Sequence, residues 1–506
     1  MDEIDNKSSQ PLAGTGVEGL DEILRGGLIQ NRLYVVEGDP GSGKTTLALQ
    51  FLLEGARLGE KVLYVALSET EEELRTIAME HGWSLDGLDL FELWSGDQGL
   101  TLDARYTMFH PSEVELTETT KALIAEVELR NPSRVVVDSL SELRLLSQNP
   151  LRYRRQILAL KQYFANRKCT VVLVDDRTAE STDMQLRSIA HGVIGLERRA
   201  PDYGMMRRRL QVVKIRGWAY LEGYHDFQIK RGGLEVFPRL VAAGHFAAFK
   251  RENIGSGLDR LDQLLGGGLT RGTSTLITGP AGSGKSSLAA QYASASAVRG
   301  ERASFFLFDE SIATFRQRCS GLGLDINRLI EEGTLRVTQI DPAAMSPGQF
   351  SQVVRAEAEG NEARLVVIDS LNGYLQSMPS EKLLTIHLHE LLTYLGQRGV
   401  TAILIMAQHG LVSATTEAPV DTSYLADTVI LTRFFETSGE VRQAVSVIKK
   451  RTGHHERTIR EMRLDSRGII IGEPLREFEA VLSGAPMFVG KNFSEASRGG
   501  KGRSKL

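Results

Sequence analysis

The run RLYVVEGDPGSGKTTLALQ at residues 32–50 decides the fold of this chain, because it recurs as STLITGPAGSGKSSLAAQ at residues 274–291. In each copy an apolar strand signal runs into GxxxxGK[ST] and then into an apolar-periodic helix. The first motif is Gly38, Asp39, Pro40, Gly41, Ser42, Gly43, Lys44 and Thr45, with Thr46 next. The second is Gly279, Pro280, Ala281, Gly282, Ser283, Gly284, Lys285 and Ser286, with Ser287 next. Glycines let consecutive backbone N–H groups turn inward around phosphate oxygens, which side chains would block. The helix that follows adds its positive end. Lys44 and Lys285 reach the β and γ phosphates, and Thr45 and Ser286 offer a hydroxyl to Mg²⁺. One such motif matches by chance often enough; two in the same context predict a pair of Mg-ATP sites.

Working outward, the duplication extends over most of the chain. TGVEGLDEILRGGL at residues 15–28 matches SGLDRLDQLLGGGL at 256–269, at the same offset, 256 − 15 = 241, as the glycine loops. RVVVDSL from Arg134 matches RLVVIDSL from Arg364, pairing Asp138 with Asp369. KIR at Lys214–Arg216 matches KKR at Lys449–Arg451. A period this long is a domain duplication. The expected organisation is an N-terminal extension at 1–10, domains at 11–240 and 252–486, a linker at 241–251 and a flexible tail at 487–506. Within each half, Val- and Leu-rich runs alternate with amphipathic helices, which predicts a mostly parallel sheet covered on both faces. After residue 205 the pattern shifts to shorter strands of antiparallel type at the sheet edge.

Length and composition agree. A chain of 506 residues exceeds one core, and 42% hydrophobic residues with a net charge of −4 describe an ordinary globular protein. No apolar run of eighteen residues predicts a membrane span. Two cysteines, Cys169 and Cys319, supply neither a disulfide framework nor zinc spacing and fit a reducing cytoplasm. The charge balance argues against a surface that grips nucleic acid throughout. The terminal Ser-Lys-Leu is read as coincidence.

Asp138 and Asp369 each end an apolar strand beside a glycine loop, where a Mg²⁺-organising acid belongs; helix capping is the alternative. Glu69 in VALSET and Glu310 in FLFDES, the latter preceded by Asp309, stand at matching strand tips and are candidates to orient water; a capping box is the competing reading. Lys214 with Arg216, and Lys449 with Arg451, fall at i, i+2 on a late strand and so share a face. A solvated basic face is the ordinary reading of such a pair. Its recurrence in both halves points instead to phosphate, with the pairs acting across a subunit boundary. Arg144, Arg152, Arg154 and Arg155 are read as a solvated, interface-facing helix rather than a pore lining.

The duplicated set of GLDEILxGGL, glycine loop, D-S-L and K-x-R resembles the KaiC family within the RecA-like ATPases, over about residues 11–486, and FEAVLSGAP from Phe478 resembles the family's ending. The resemblance implies two tandem RecA-like P-loop NTPase domains of α/β class, hexameric rings with ATP between subunits, slow hydrolysis, and serine/threonine autokinase activity in the second domain. The family's paired acids correspond to Ser68–Glu69 and Asp309–Glu310, so the first half lacks one. Its phosphorylated Ser-Thr pair corresponds to Ser423–Tyr424, leaving Ser423 as the phosphoacceptor candidate. A signalling ATPase that recruits a partner protein is the expected function. A DNA-directed RecA-like motor and a nucleotide-gated scaffold are the alternatives. The motor is less favoured because no segment combines a basic, glycine-rich loop with stacking aromatics.

Overall fold

The apolar runs become buried strands because every second residue of each must leave water on either sheet face. In the computed structural model Leu33–Gly38 is buried at all six positions, as is Ser274–Gly279. The structure describes residues 10–93, 111–147, 149–177, 183–200, 204–375, 381–408, 424–437, 439–479, 481 and 487–488. The chain divides into two compact units, residues 1–239 and 240–506.

The first unit holds a nine-stranded sheet. Its order is Gly233–Phe237, His225–Lys230, Arg207–Ile215, Gly192–Arg199, Leu33–Gly38, Thr170–Asp176, Arg134–Asp138, Val62–Ala66 and Asp89–Glu92. Pairing is parallel from Gly192–Arg199 to Asp89–Glu92 and antiparallel through the three remaining strands. The second unit repeats the arrangement around Ser274–Gly279. The helix Lys44–Arg57 covers one face of the first sheet with Leu47, Phe51 and Leu52. On the other face the helices Pro111–Arg130 and Pro150–Ala165 bury Leu123, Val127, Ile157 and Leu160. Lys285–Val298 takes the first of these positions in the second unit.

The register refines the repeat. Val62 lies opposite Arg134, and Ala303, its counterpart, lies opposite Leu365. Arg134 therefore matches Leu365 and not Arg364, a one-residue shift that leaves Asp138 matched with Asp369. Leu240, expected to end the first domain, is buried in the core of the second unit, and in the stretch expected as linker, 241–251, the Ala247 amide donates to the Gln397 carbonyl at 3.0 Å. Arg144 also departs from the solvated face expected of it, pairing with the buried Asp175 carboxylate. Among the described residues no helix is long and apolar enough to cross a membrane.

Candidate functional site

Both glycine loops leave a central strand and open a helix. Gly43 and Gly284 are the helix N-caps, at φ 103° and 92°, a conformation that L side chains adopt at a cost. A Cβ on Gly43 would also lie 2.7 Å from Ile229 Cδ1. The loops meet the neighbouring strand tips, as expected where the strand order reverses.

In the first unit Thr45 Oγ1 donates to Asp138 Oδ2 at 2.8 Å, and Glu69 Oε1 lies 3.5 Å from the same hydroxyl. Tyr64 donates to Asp138 Oδ2 at 2.6 Å. Burial raises the Asp138 carboxyl, while the hydrogen bonds from Tyr64 and Thr45 and the charge of Lys44 oppose it. Burial, with the charges of Asp138 and Glu73, lifts Glu69 to about 7. The capping alternative for Glu69 is answered by geometry: Thr70 is the N-cap and Glu73 closes the capping box. Likewise Ser311 caps the helix after Glu310. Asp138 bonds to Tyr64 and Thr45 rather than to a helix end. Each of these aspartates precedes a cis peptide, Asp138–Ser139 and Asp369–Ser370.

Lys44 Nζ donates to the Gly38 and Asp39 carbonyls at 3.1 and 3.0 Å and pairs with Asp176 Oδ1 at 2.8 Å. Burial alone would raise Asp176; the bond and charge of Lys44, with Ser141, outweigh it and hold the carboxyl low.

The second unit shares the frame and changes the details. Ser286 hydrogen-bonds Asp369, whose carboxyl burial lifts to about 6 despite that bond and the charge of Arg318. Lys285 Nζ donates to the Pro280 carbonyl at 2.6 Å; burial lowers it to about 8, against the pull of Asp369. Ala407 stands where Asp176 does in the first unit, so no acid at that position meets Lys285. Glu310 is gripped by Arg318 at 2.8 and 3.2 Å, and Arg318 Nη1 reaches Ser287 Oγ at 3.3 Å. Ile77 occupies the matching place in the first unit. Asp309 accepts from Ser370.

The basic pairs are not brought to these loops. Lys214 lies opposite Val193 and Lys449 opposite Val429, each beside a β-bulge near the start of the central strand. Arg216 lies level with that start, five residues from Gly38, about 16 Å along the strand. Lys449 Nζ donates to the Ala426 carbonyl at 2.7 Å. Ser423 lies outside the described residues.

Asp176, Tyr64 and Arg318 belong to no motif that the sequence displays. The signal was the repeat itself: at each place the other half carries a residue of different chemistry, Ala407, Phe305 or Ile77.

A glycine loop at the tip of a central parallel strand, with a hydroxyl–carboxylate pair beside it, twice over, defines tandem RecA-like α/β nucleotide-binding domains. The chain belongs to the KaiC ATPase family, whose model, described as ATPase: KaiC, matches residues 13–241 and 254–476. It is 26% identical over 477 residues to the circadian clock oscillator protein KaiC of Thermostichus vulcanus, covering 93% of this chain and 91% of that protein. The circadian clock protein KaiC3 of a Synechocystis strain is 25% identical, with 96% of each chain covered.

Proposed function

We propose that each half hydrolyses ATP at its glycine loop, in a hexameric ring whose neighbouring subunits supply Lys214 and Arg216 to one site and Lys449 and Arg451 to the other. The observation that carries this reading is the cluster of Thr45, Asp138 and Glu69 beside the first loop, with Ser286, Asp369 and Glu310 in the second. Loop amides and Lys44 or Lys285 hold the phosphates. Mg²⁺ fits the donor set: Thr45 and Asp138, or Ser286 and Asp369, offer hard oxygens, and the buried Glu69 Oε2 has no partner. When bound, Mg²⁺ neutralises phosphate charge. Glu69 and Glu310 orient the attacking water, and Glu69 Oε2 is free to take its proton. The basic pairs, too far to reach their own loop, suit the neighbour's phosphates.

The second domain in this reading also transfers phosphoryl to its own Ser423. What supports it is position. Arg451 Nη2 donates to the carbonyl of Tyr424, next to Ser423, at 2.9 Å, and its Nη1 lies 3.5 Å from Asp427 Oδ1, tethering the segment just after Ser423 to a phosphate-binding candidate. The output is cytoplasmic signalling, a nucleotide- or phosphate-dependent state of the ring read by a partner protein. The lone Glu69, without a second acid at Ser68, and the Lys44–Asp176 pair favour a scaffold-like, slower first site.

Lys44→Ala with Lys285→Ala should abolish hydrolysis; full residual turnover would overturn the reading. The single variants apportion turnover between halves. Incubation with labelled ATP and peptide mapping tests Ser423, and a peptide spanning Asp421–Thr428 free of label removes the kinase.

A further inference from the structure

The two loops are roofed by different chemistry. In the first unit the strands Gly192–Arg199 and Arg207–Ile215 pair antiparallel, and Arg198 lies directly opposite Arg208. Residues opposite each other in such a pair project on the same face. Two positions inward, Leu196 and Leu210 are buried in the core beneath the loop helix, so Arg198 and Arg208 carry that face outward over the loop. The approach is close: a Cβ placed on Gly41 would lie 2.7 Å from Arg198 Nη1. In the second unit the matching opposed pair is Phe434 and Gln443. The Phe434 ring meets Gly282, the counterpart of Gly41, and Gln443 donates to the Gly282 carbonyl at 3.3 Å. The same place in the fold is thus doubly cationic in one half and neutral in the other.

Arg198 and Arg208 have no hydrogen-bonding or ion-pairing partner among the described residues, and Arg208 Nε is buried without one. The next arginine along, Arg209, is by contrast paired with Glu197 at 2.7 Å. Burial and the charge of Arg198 together make Arg208 easier to deprotonate than a free guanidinium, which marks a repulsion that an anion between them would relieve. Like-charged residues directly opposite on a sheet destabilise it unless something offsets them. The offset has a reason on this side of the molecule only. Lys44 is engaged by Asp176, whereas Ala407 takes the place of that acid in the second unit. The half that carries an acid against its loop lysine also carries two arginines above the loop.

We infer that Arg198 and Arg208 form a phosphate clamp belonging to the first loop itself, gripping the polyphosphate of its nucleotide from the same subunit. The clamp supplies the positive charge that Asp176 withdraws from Lys44. The inference rests on the reading that the first loop holds nucleotide, and the experiment separates the two.

The test uses the full chain with Lys285→Ala, so that binding reports the first site, and adds Arg198→Phe with Arg208→Gln, the residues that the second half carries. Removing two charge-assisted hydrogen bonds to phosphate should weaken Mg·ATP binding by about tenfold or more. Tripolyphosphate should weaken by a similar factor, and the dependence of binding on potassium chloride should become shallower. Arg198→Lys with Arg208→Lys should retain most of the affinity. Unchanged ATP affinity, or weaker ATP binding with tripolyphosphate binding unaltered, overturns the clamp. A Lys44→Ala, Lys285→Ala chain that still binds ATP overturns the underlying reading instead.

Discussion

His225 carries a pH dependence that nothing at the nucleotide sites is needed to explain. The ring is buried, its Nε2 donates to the Leu221 carbonyl at 3.0 Å, and its Nδ1 accepts from the Arg239 amide at 2.8 Å. Both nitrogens are committed to the neutral ring, and burial above all, with the charge of Arg239, lowers it to about 4. A base whose folded value is depressed contributes stability above its unfolded value of 6.5, and that stability is lost as the pH falls towards 4. The loss at pH 4 is about 2 to 3 kcal/mol for this residue. His191 and His387 are depressed to the same value, in the two different units, chiefly by burial. The melting temperature should therefore fall steeply from pH 6.5 to 4, and His225→Gln, which keeps one donor and one acceptor, should flatten the slope of the first unit's transition. A slope unchanged by the substitution would show that His225 titrates normally. Tyr64 offers a second residue-level test. Its hydroxyl holds Asp138, while Phe305 at the matching place holds nothing. Tyr64→Phe should cost about 1 kcal/mol in denaturant unfolding of the first unit.

Strands and helices were legible where their period or their punctuation was strong. The central strands followed from unbroken apolar runs, and the loop helices from the glycines before them. What the pattern could not supply was register, because period alone leaves a one-residue slip open when both faces of a strand are buried. Arg134 is the instance. As an apparent match to Arg364 it reads as an ordinary strand-flanking cation. In the structure it is 1% exposed at the first position of its strand. It donates to Glu60 at 2.6 and 3.0 Å and to the Gly14 and Phe51 carbonyls at 2.7 and 2.9 Å, and it lies over the Phe51 ring. That one guanidinium ties the strand to the loop helix and to the segment before it. The second unit meets the same need from elsewhere, pairing Glu301 with Arg271, so Leu365 is free to be apolar. Arg134→Leu, which imports the other half's residue, should destabilise the first unit by about 3 kcal/mol, the lower end for a broken buried pair because Glu60 keeps some exposure to water. Denaturant titration reads this as an earlier midpoint for one of two transitions, with the other unmoved.

Across the whole chain, the duplication and both glycine loops stood in the sequence, since two glycine-rich motifs at a fixed offset need no coordinates to find. The difference in chemistry between the two sites stood there only at Ser68 against Asp309; the rest resides in pairs distant along the chain: Lys44 with Asp176, Glu310 with Arg318, Asp138 with Tyr64. The same holds for the basic pairs, whose spacing put both cations on one face but said nothing of which end of the sheet they occupy. They lie towards the start of the central strand, and the loop leaves its far end. A chain that needs these cations for hydrolysis must then take them from a neighbour, through a heterologous interface of the kind that closes rings. Mixing separates this from action within one subunit. Protomers with Lys44→Ala and Lys285→Ala keep the basic pairs and lose their own sites. Protomers with Lys214, Arg216, Lys449 and Arg451 all changed to alanine keep the loops and lose the cations, a loss worth on the order of a thousandfold or more in turnover. Each preparation alone should be nearly inactive. Dissociated, mixed in equal amounts and reassembled, they should recover about a quarter of the unmodified turnover, since random order places an intact loop against an intact basic pair at one junction in about four. Mixed protein as inactive as its parents would place those cations outside the reaction.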